Sequence, residues 1–145
     1  MPRLAKSVLR HVKLGVPAAV TAHGIVHCVC EAMPARDLWV FPVYVVLGTI
    51  LGSVVLAPAF VVQALLVHFL STLRIPLPMR AVAAGATQSS FVWIWGSTIG
   101  LEPSYGSWLP LTPWMMTAAF LVGAGTTCFI ALRETRPTSV TVASS

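Results

Sequence analysis

The chain has 145 residues, of which 57% are hydrophobic and only 9% are charged. Soluble domains carry about 25% charged residues, so this composition excludes an ordinary soluble domain and predicts an all-α integral membrane protein. The net charge of +5 comes from basic residues that flank apolar segments, without a nucleic-acid-binding motif. We therefore expect contact with a lipid bilayer and not with nucleic acid.

The first predicted element is a basic amphipathic helix over residues 1–13. Its basic side chains, Arg3, Lys6, Arg10 and Lys13, fall within about 80° on a helical wheel, and no acidic residue precedes Glu31. This pattern is typical of a mitochondrial targeting segment and equally of an interfacial helix that orients the first span. The sequence leaves both interpretations open.

The membrane domain, residues 14–132, is predicted to cross the bilayer four times. Its spans lie at about 14–33, 38–73, 81–101 and 114–132. The second segment is longer than the about 20 residues that a span needs, yet two spans would leave no residues for a turn between them. We therefore expect one long helix there, tilted or kinked at Pro58.

Charge placement predicts the orientation of the spans. With an even number of spans, eight of the nine basic residues lie on one side of the membrane and only Arg36 lies on the other. Basic residues favour the cytoplasmic or matrix side. We therefore expect a four-transmembrane-helix bundle with both termini, including a short polar tail at 133–145, on that side. The mitochondrial inner membrane and the bacterial plasma membrane are the two predicted locations.

Two glycine patterns predict close helix packing. Gly48 and Gly52 form one GxxxG motif, and Gly96 and Gly100 form another. Small residues four positions apart let helix backbones approach closely in a bilayer. The patterns indicate a compact bundle, but they do not distinguish an internal partner helix from another subunit.

Two glutamines lie within the predicted membrane segments. Gln63 is expected in the last turns of the long second helix, near or beyond the headgroups. Gln88 lies in the third span, where an amide side chain facing lipid would be unfavourable. We expect Gln88 to form a hydrogen bond between helices, and a role in a transport path is the alternative.

The stretch "TAHGIVHCVCE" carries a ladder of polar residues within the first span. On a helix, His23 and His27 share a face, and Glu31 continues it towards the outer surface. The three residues form a candidate metal site, because zinc accepts imidazole and carboxylate ligands. The metalloprotease motif HExxH is absent, since the residues are His-Gly-Ile-Val-His.

A haem site is a second hypothesis for these histidines. Two axial histidines from different spans could hold the iron. Counted from the flanking basic residues Lys13 and Arg74, His23 and His68 lie at similar depths if the second span tilts. His23 and His68 are therefore the candidate cofactor-binding pair. The structural alternative is that the histidines form hydrogen bonds within the bundle.

The sequence favours a protein without catalytic function. We find no Ser-His-Asp set, no paired catalytic carboxylates and no phosphate-binding glycine loop. The leading hypothesis is an accessory or assembly subunit of a larger membrane complex, whose partners are other membrane subunits or further copies of the chain. The alternatives are a haem- or metal-binding redox protein and a small transporter or channel.

Overall fold

The computed structural model describes residues 2–30, 39–99 and 111–135. These residues form four α-helices: α1 (Pro2–Cys30), α2 (Phe41–Thr72), α3 (Leu77–Ile99) and α4 (Leu111–Thr135). The prediction of an all-helical chain is confirmed for this part of the protein. By length and composition, two of the helical segments could cross a membrane, namely Phe41–Thr72 and Pro113–Thr135.

Helix α1 joins two segments that the sequence separates. The basic segment and the predicted first span form one helix of 29 residues, with Pro17 inside it. The side-chain hydroxyl of Thr21 donates a hydrogen bond of 2.8 Å to the Pro17 carbonyl. The start of α1 is part of the packed bundle, because Arg10 contacts Glu134 on α4 and His11 is buried.

Helix α2 is continuous through Pro58 and ends in a left-handed turn. Arg74 has a φ of 58°, and its N–H donates to the Ser71 carbonyl, while the Ile75 N–H donates to the Leu70 carbonyl. These two bonds form a Schellman motif, which satisfies carbonyls at the end of the helix. The connection to α3 is only four residues long, so α2 and α3 are antiparallel neighbours.

The four helices contact one another in a closed cycle. Helix α1 packs against α2 and α4, and α3 packs against α4 and α2. The α1–α2 pair is antiparallel, because Gly15 faces Phe60 whereas Gly24 faces Tyr44. A buried apolar cluster of Val16, Ala19, Val20 and Phe60 fills the interface between these two helices.

One end of the bundle collects most of the described charge. The start of α1, the α2–α3 turn and the end of α4 meet there, and the Arg10 guanidinium forms an ion pair of 2.7 Å with Glu134. We call this region the basic end. Its basic side chains are Lys6, Arg10, Lys13, Arg74, Arg80 and Arg133. Glu134 is the only acidic residue within the described ranges.

The outward surface of α2 is apolar and open. Only 11% of its most apolar 18-residue stretch is buried inside the chain. Val54 is 80% exposed and Leu51 is 71% exposed. A helix that is hydrophobic on all sides requires an apolar environment around it.

Candidate functional site

The centre of the bundle holds a buried polar group on α2. Gln63 is 0% exposed. Its side-chain amide donates one hydrogen bond of 3.0 Å to the Gly123 carbonyl and a second of 3.1 Å to the Thr127 hydroxyl. Both N–H groups of the amide are used. Gln63 is therefore enclosed by the bundle, and its position near the headgroups stays a prediction.

A second glutamine extends this network to α3. The Gln88 amide donates a hydrogen bond of 2.6 Å to the side-chain oxygen of Gln63. Gln88 is also buried, so α2, α3 and α4 are joined at one level by uncharged groups. We call Gln63, Gln88 and Thr127 the polar centre. None of its side chains titrates near neutral pH. The polar centre is therefore suited to fixing the helices relative to one another and not to relaying protons.

Helices α3 and α4 approach closely beside the polar centre. A Cβ added to Gly123 would lie 2.7 Å from the Ala84 carbonyl oxygen, and one added to Gly85 would lie 2.8 Å from the Phe120 carbonyl oxygen. Only glycine permits such backbone contact here. The sequence signal that could have found this interface is a pair of small-residue repeats, Ala81-x₃-Gly85 and Ala119-x₃-Gly123.

The first predicted GxxxG motif faces α1. A Cβ added to Gly48 would lie 2.8 Å from Val20, and one added to Gly52 would lie 3.2 Å from the same side chain. Gly96 lies in α3, but Gly100 lies outside the described residues. The packing role of the second motif therefore stays a prediction.

The described residues include only part of the predicted metal site. His23 is half-buried in α1, and its Nδ1–H donates a hydrogen bond of 2.7 Å to the Ala19 carbonyl. His27 belongs to the same helix, and Glu31 lies outside the described residues. Within the described ranges, no group of three or more His, Cys, Asp and Glu side chains could hold a metal ion. The site at His23, His27 and Glu31 stays a prediction.

The structure does not bring His23 and His68 together. His23 directly precedes Gly24, which faces Tyr44 on α2. His68 lies 24 residues beyond Tyr44 on the same helix, which corresponds to about 36 Å at 1.5 Å per residue. Its side chain is exposed. The two imidazoles therefore cannot bind the same haem iron in this arrangement.

Lys13 and Arg74, from which the depths of His23 and His68 are counted, do not lie at the same level. Gly15, two residues after Lys13, instead faces Phe60 on α2. Phe60 lies 14 residues before Arg74, or about 21 Å along the helix axis. The first residues of α1 run alongside the end of α2, and this overlap displaces the two histidines from one another.

The structure reveals a buried histidine that the sequence analysis overlooked. His11 is 1% exposed, its Nδ1–H donates a hydrogen bond of 2.9 Å to the Ser7 carbonyl, and its Nε2 has no partner among the described residues. Burial lowers the pKa of His11, although the Ser7 carbonyl and the Glu134 carboxylate oppose this shift. On the helical wheel, His11 lies about 120° from the centre of the basic sector. This position outside the basic sector is the sequence signal that could have indicated its burial.

Comparisons with protein families, curated proteins and solved structures found no match for this chain. Function is therefore inferred from the geometry of the described residues. Three of its features bear on function: the neutral polar centre, the open apolar surface of α2, and the charged contact between α1 and α4 at the basic end.

Proposed function

We propose that this chain is a polytopic membrane protein that serves as a non-catalytic accessory or assembly subunit of a larger membrane complex. The main support is the outward surface of α2. Its apolar side chains, among them Leu51 and Val54, point away from the other helices. These side chains require lipid or a protein partner around them.

The length of α2 favours a protein partner over lipid alone. Its 32 residues span about 48 Å, whereas the hydrocarbon core is about 30 Å thick. Lipid tails could cover the whole helix only at a tilt of about 50°, which lies beyond the range of 0–40° seen for membrane helices. A neighbouring subunit would cover the apolar surface that extends past the bilayer core.

The neutral polar centre is consistent with a structural role. Gln88 donates a hydrogen bond to Gln63, and Gln63 donates one to the backbone carbonyl of Gly123 on α4. A water-filled transport path would need polar groups that stay free to bind the solute. The internal hydrogen bonds instead favour a bundle with defined helix positions that presents its outer surfaces to partners.

We also propose that all four helices span the bilayer, with the basic end on the matrix or cytoplasmic side of a mitochondrial inner membrane or bacterial plasma membrane. The burial of His11 favours retention of the N-terminal segment in the working protein.

Single cysteines at Ser7, Ser104 and Ser144, in a variant without the native cysteines, test the proposed topology of four spans. Labelling of Ser104 from the side that labels the other two would contradict it.

Extraction of the chain from its native membrane in a mild detergent tests the subunit proposal. We expect a particle far larger than the 15.5 kDa chain with its micelle. Leu51→Trp and Val54→Trp add bulk to the outward surface of α2 and should release the chain from that particle without unfolding it. Leu121→Trp is the matched control, because Leu121 is similarly exposed on α4. A monodisperse monomer for the unmodified chain would contradict the proposal.

A further inference from the structure

A cleft lies at the basic end between the start of α1 and the end of α4. Its volume is about 380 Å³, and it is lined by Arg10, Leu14, Ile130, Arg133 and Glu134. Because α1 and α4 run in opposite directions, the charged residues of both helices lie towards the basic end. The two apolar residues lie towards the middle of the bundle. The cleft is therefore amphipathic along its length.

The charges that line the cleft do not cancel. Arg10 and Glu134 form an ion pair of 2.7 Å, which uses the only carboxylate in the described part of the chain. The Arg133 guanidinium lies 4.9 Å from the centre of the Phe129 ring, without a carboxylate partner among the described residues. The cleft has a net charge of +1, and Lys6 and Lys13 are exposed nearby on α1.

We infer that this cleft binds the headgroup of an anionic phospholipid, with the phosphate at Arg133 and Arg10 and an acyl chain along Leu14 and Ile130. This inference rests on the proposed membrane insertion of the bundle. A guanidinium presents paired N–H donors that match phosphate oxygens. Basic pockets between membrane helices on the matrix or cytoplasmic side suit anionic headgroups.

The apolar half of the cleft argues for a lipid over free phosphate. Leu14 is 38% exposed at the cleft, and Ile130, which is largely buried at its floor, lies one helical turn before Arg133 and Glu134. A small hydrated anion gains nothing from this surface, whereas an acyl chain buries apolar area against it. The positive charge and the apolar lining of the cleft therefore both favour an anionic phospholipid.

Lipid retention by the purified full chain tests the site. The chain is reconstituted with phosphatidylglycerol or phosphatidylcholine of identical acyl chains, and bound lipid is counted by native mass spectrometry. We expect selective retention of phosphatidylglycerol. Arg133→Gln should weaken it about fivefold, as expected for one basic residue near a membrane surface, and Glu134→Gln should strengthen it.

Lys13→Gln is the matched control, because it removes the same charge from an exposed residue beside the cleft that does not line it. An equal loss in Lys13→Gln and Arg133→Gln would overturn the site in favour of general surface charge. Equal retention of both lipids would also overturn it, as would displacement of phosphatidylglycerol by inorganic phosphate. A chain that fails to float with vesicles of either lipid would refute the membrane proposal as well, whereas an inserted chain without lipid preference refutes only the cleft.

Discussion

The side-chain amide of Gln88 on α3 donates a 2.6 Å hydrogen bond to the side-chain oxygen of Gln63 on α2. Gln63 in turn donates to the Gly123 carbonyl and the Thr127 hydroxyl on α4. A single chain of hydrogen bonds therefore joins three helices at one level. The geometry fixes how the helices face one another, because each donor would lose its partner if a helix rotated.

Replacement of either glutamine by leucine should destabilise the bundle by about 1 kcal/mol, the scale of hydrogen bonds between membrane helices. Each single change leaves a buried polar partner unsatisfied. The double variant Gln63→Leu/Gln88→Leu should cost less than the sum of the two single changes, because it removes both members of the pair. Unfolding in mixed micelles measures the three free energies, and strictly additive values would show that the two side chains do not interact.

Gly123→Ala should destabilise the chain by about 2 kcal/mol, as overpacking does in a tight interior. The added methyl group would meet the Ala84 carbonyl oxygen at 2.7 Å and the Gln88 side chain at 2.8 Å, so α3 and α4 would have to separate. Gly125→Ala is the matched control, because nothing lies within 4 Å of a Cβ at that position. This control should be neutral or stabilising by up to about 1 kcal/mol. Similar unfolding free energies for the two variants would contradict the described interface.

The bundle should lose stability as the pH falls below about 6.5, the ordinary pKa of histidine. Burial lowers the pKa of His11 in the folded chain, so at these pH values the unfolded chain binds the proton more readily than the folded chain. Protonation would also leave Nε2–H as a buried donor without a partner among the described residues. Above that pH both states are neutral at His11 and the effect vanishes.

The pH dependence is measured as the free energy of unfolding between about pH 5 and 7.5. His11→Gln should flatten this profile, because glutamine does not titrate. His68→Gln serves as the control, since His68 is exposed on α2, and it should leave the profile unchanged. An unaltered slope in His11→Gln would rule out His11 as the group responsible.

Arg74→Gly should stabilise the chain by about 1 kcal/mol, because a residue other than glycine pays about that amount for a left-handed conformation. Arg74 has a φ of 58° at the position of the Schellman motif where glycine is commonest. Thr72→Gly, placed inside the last turn of α2, should instead cost about 0.5–1 kcal/mol. The pair is compared by unfolding in mixed micelles, and destabilisation by both changes would argue against the left-handed turn.

Hydrophobicity along the sequence predicts the helices better than their ends. The second apolar segment is predicted to end at residue 73, and α2 ends at Thr72. The third is predicted to begin at residue 81, whereas α3 begins at Leu77, because a helix can start among prolines and include Arg80. The predicted helix over residues 1–13 and the predicted first span form one continuous helix, α1, because the basic residues end the apolar stretch but not the helix.

The partners of the polar side chains could not be predicted from the sequence. The sequence predicts a hydrogen bond between Gln88 and another helix. That Gln63 is the acceptor depends on the rotation and relative depth of two helices. The same depth information determines that His23 on α1 lies at the level of Tyr44 on α2, far from His68 on that helix. His11 escaped notice because a histidine beside basic residues resembles part of a solvated surface, and only its contacts reveal that it is buried.

The most direct test of the subunit proposal is photo-cross-linking from the outward surface of α2 in the native membrane. A photoreactive amino acid replaces Val54, which is 80% exposed, and in a matched variant it replaces the buried Ala64. We expect a covalent adduct between the Val54 variant and a different polypeptide, and no such adduct from the Ala64 variant. Adducts with lipid alone, or only with a second copy of the chain, would contradict a role as an accessory subunit.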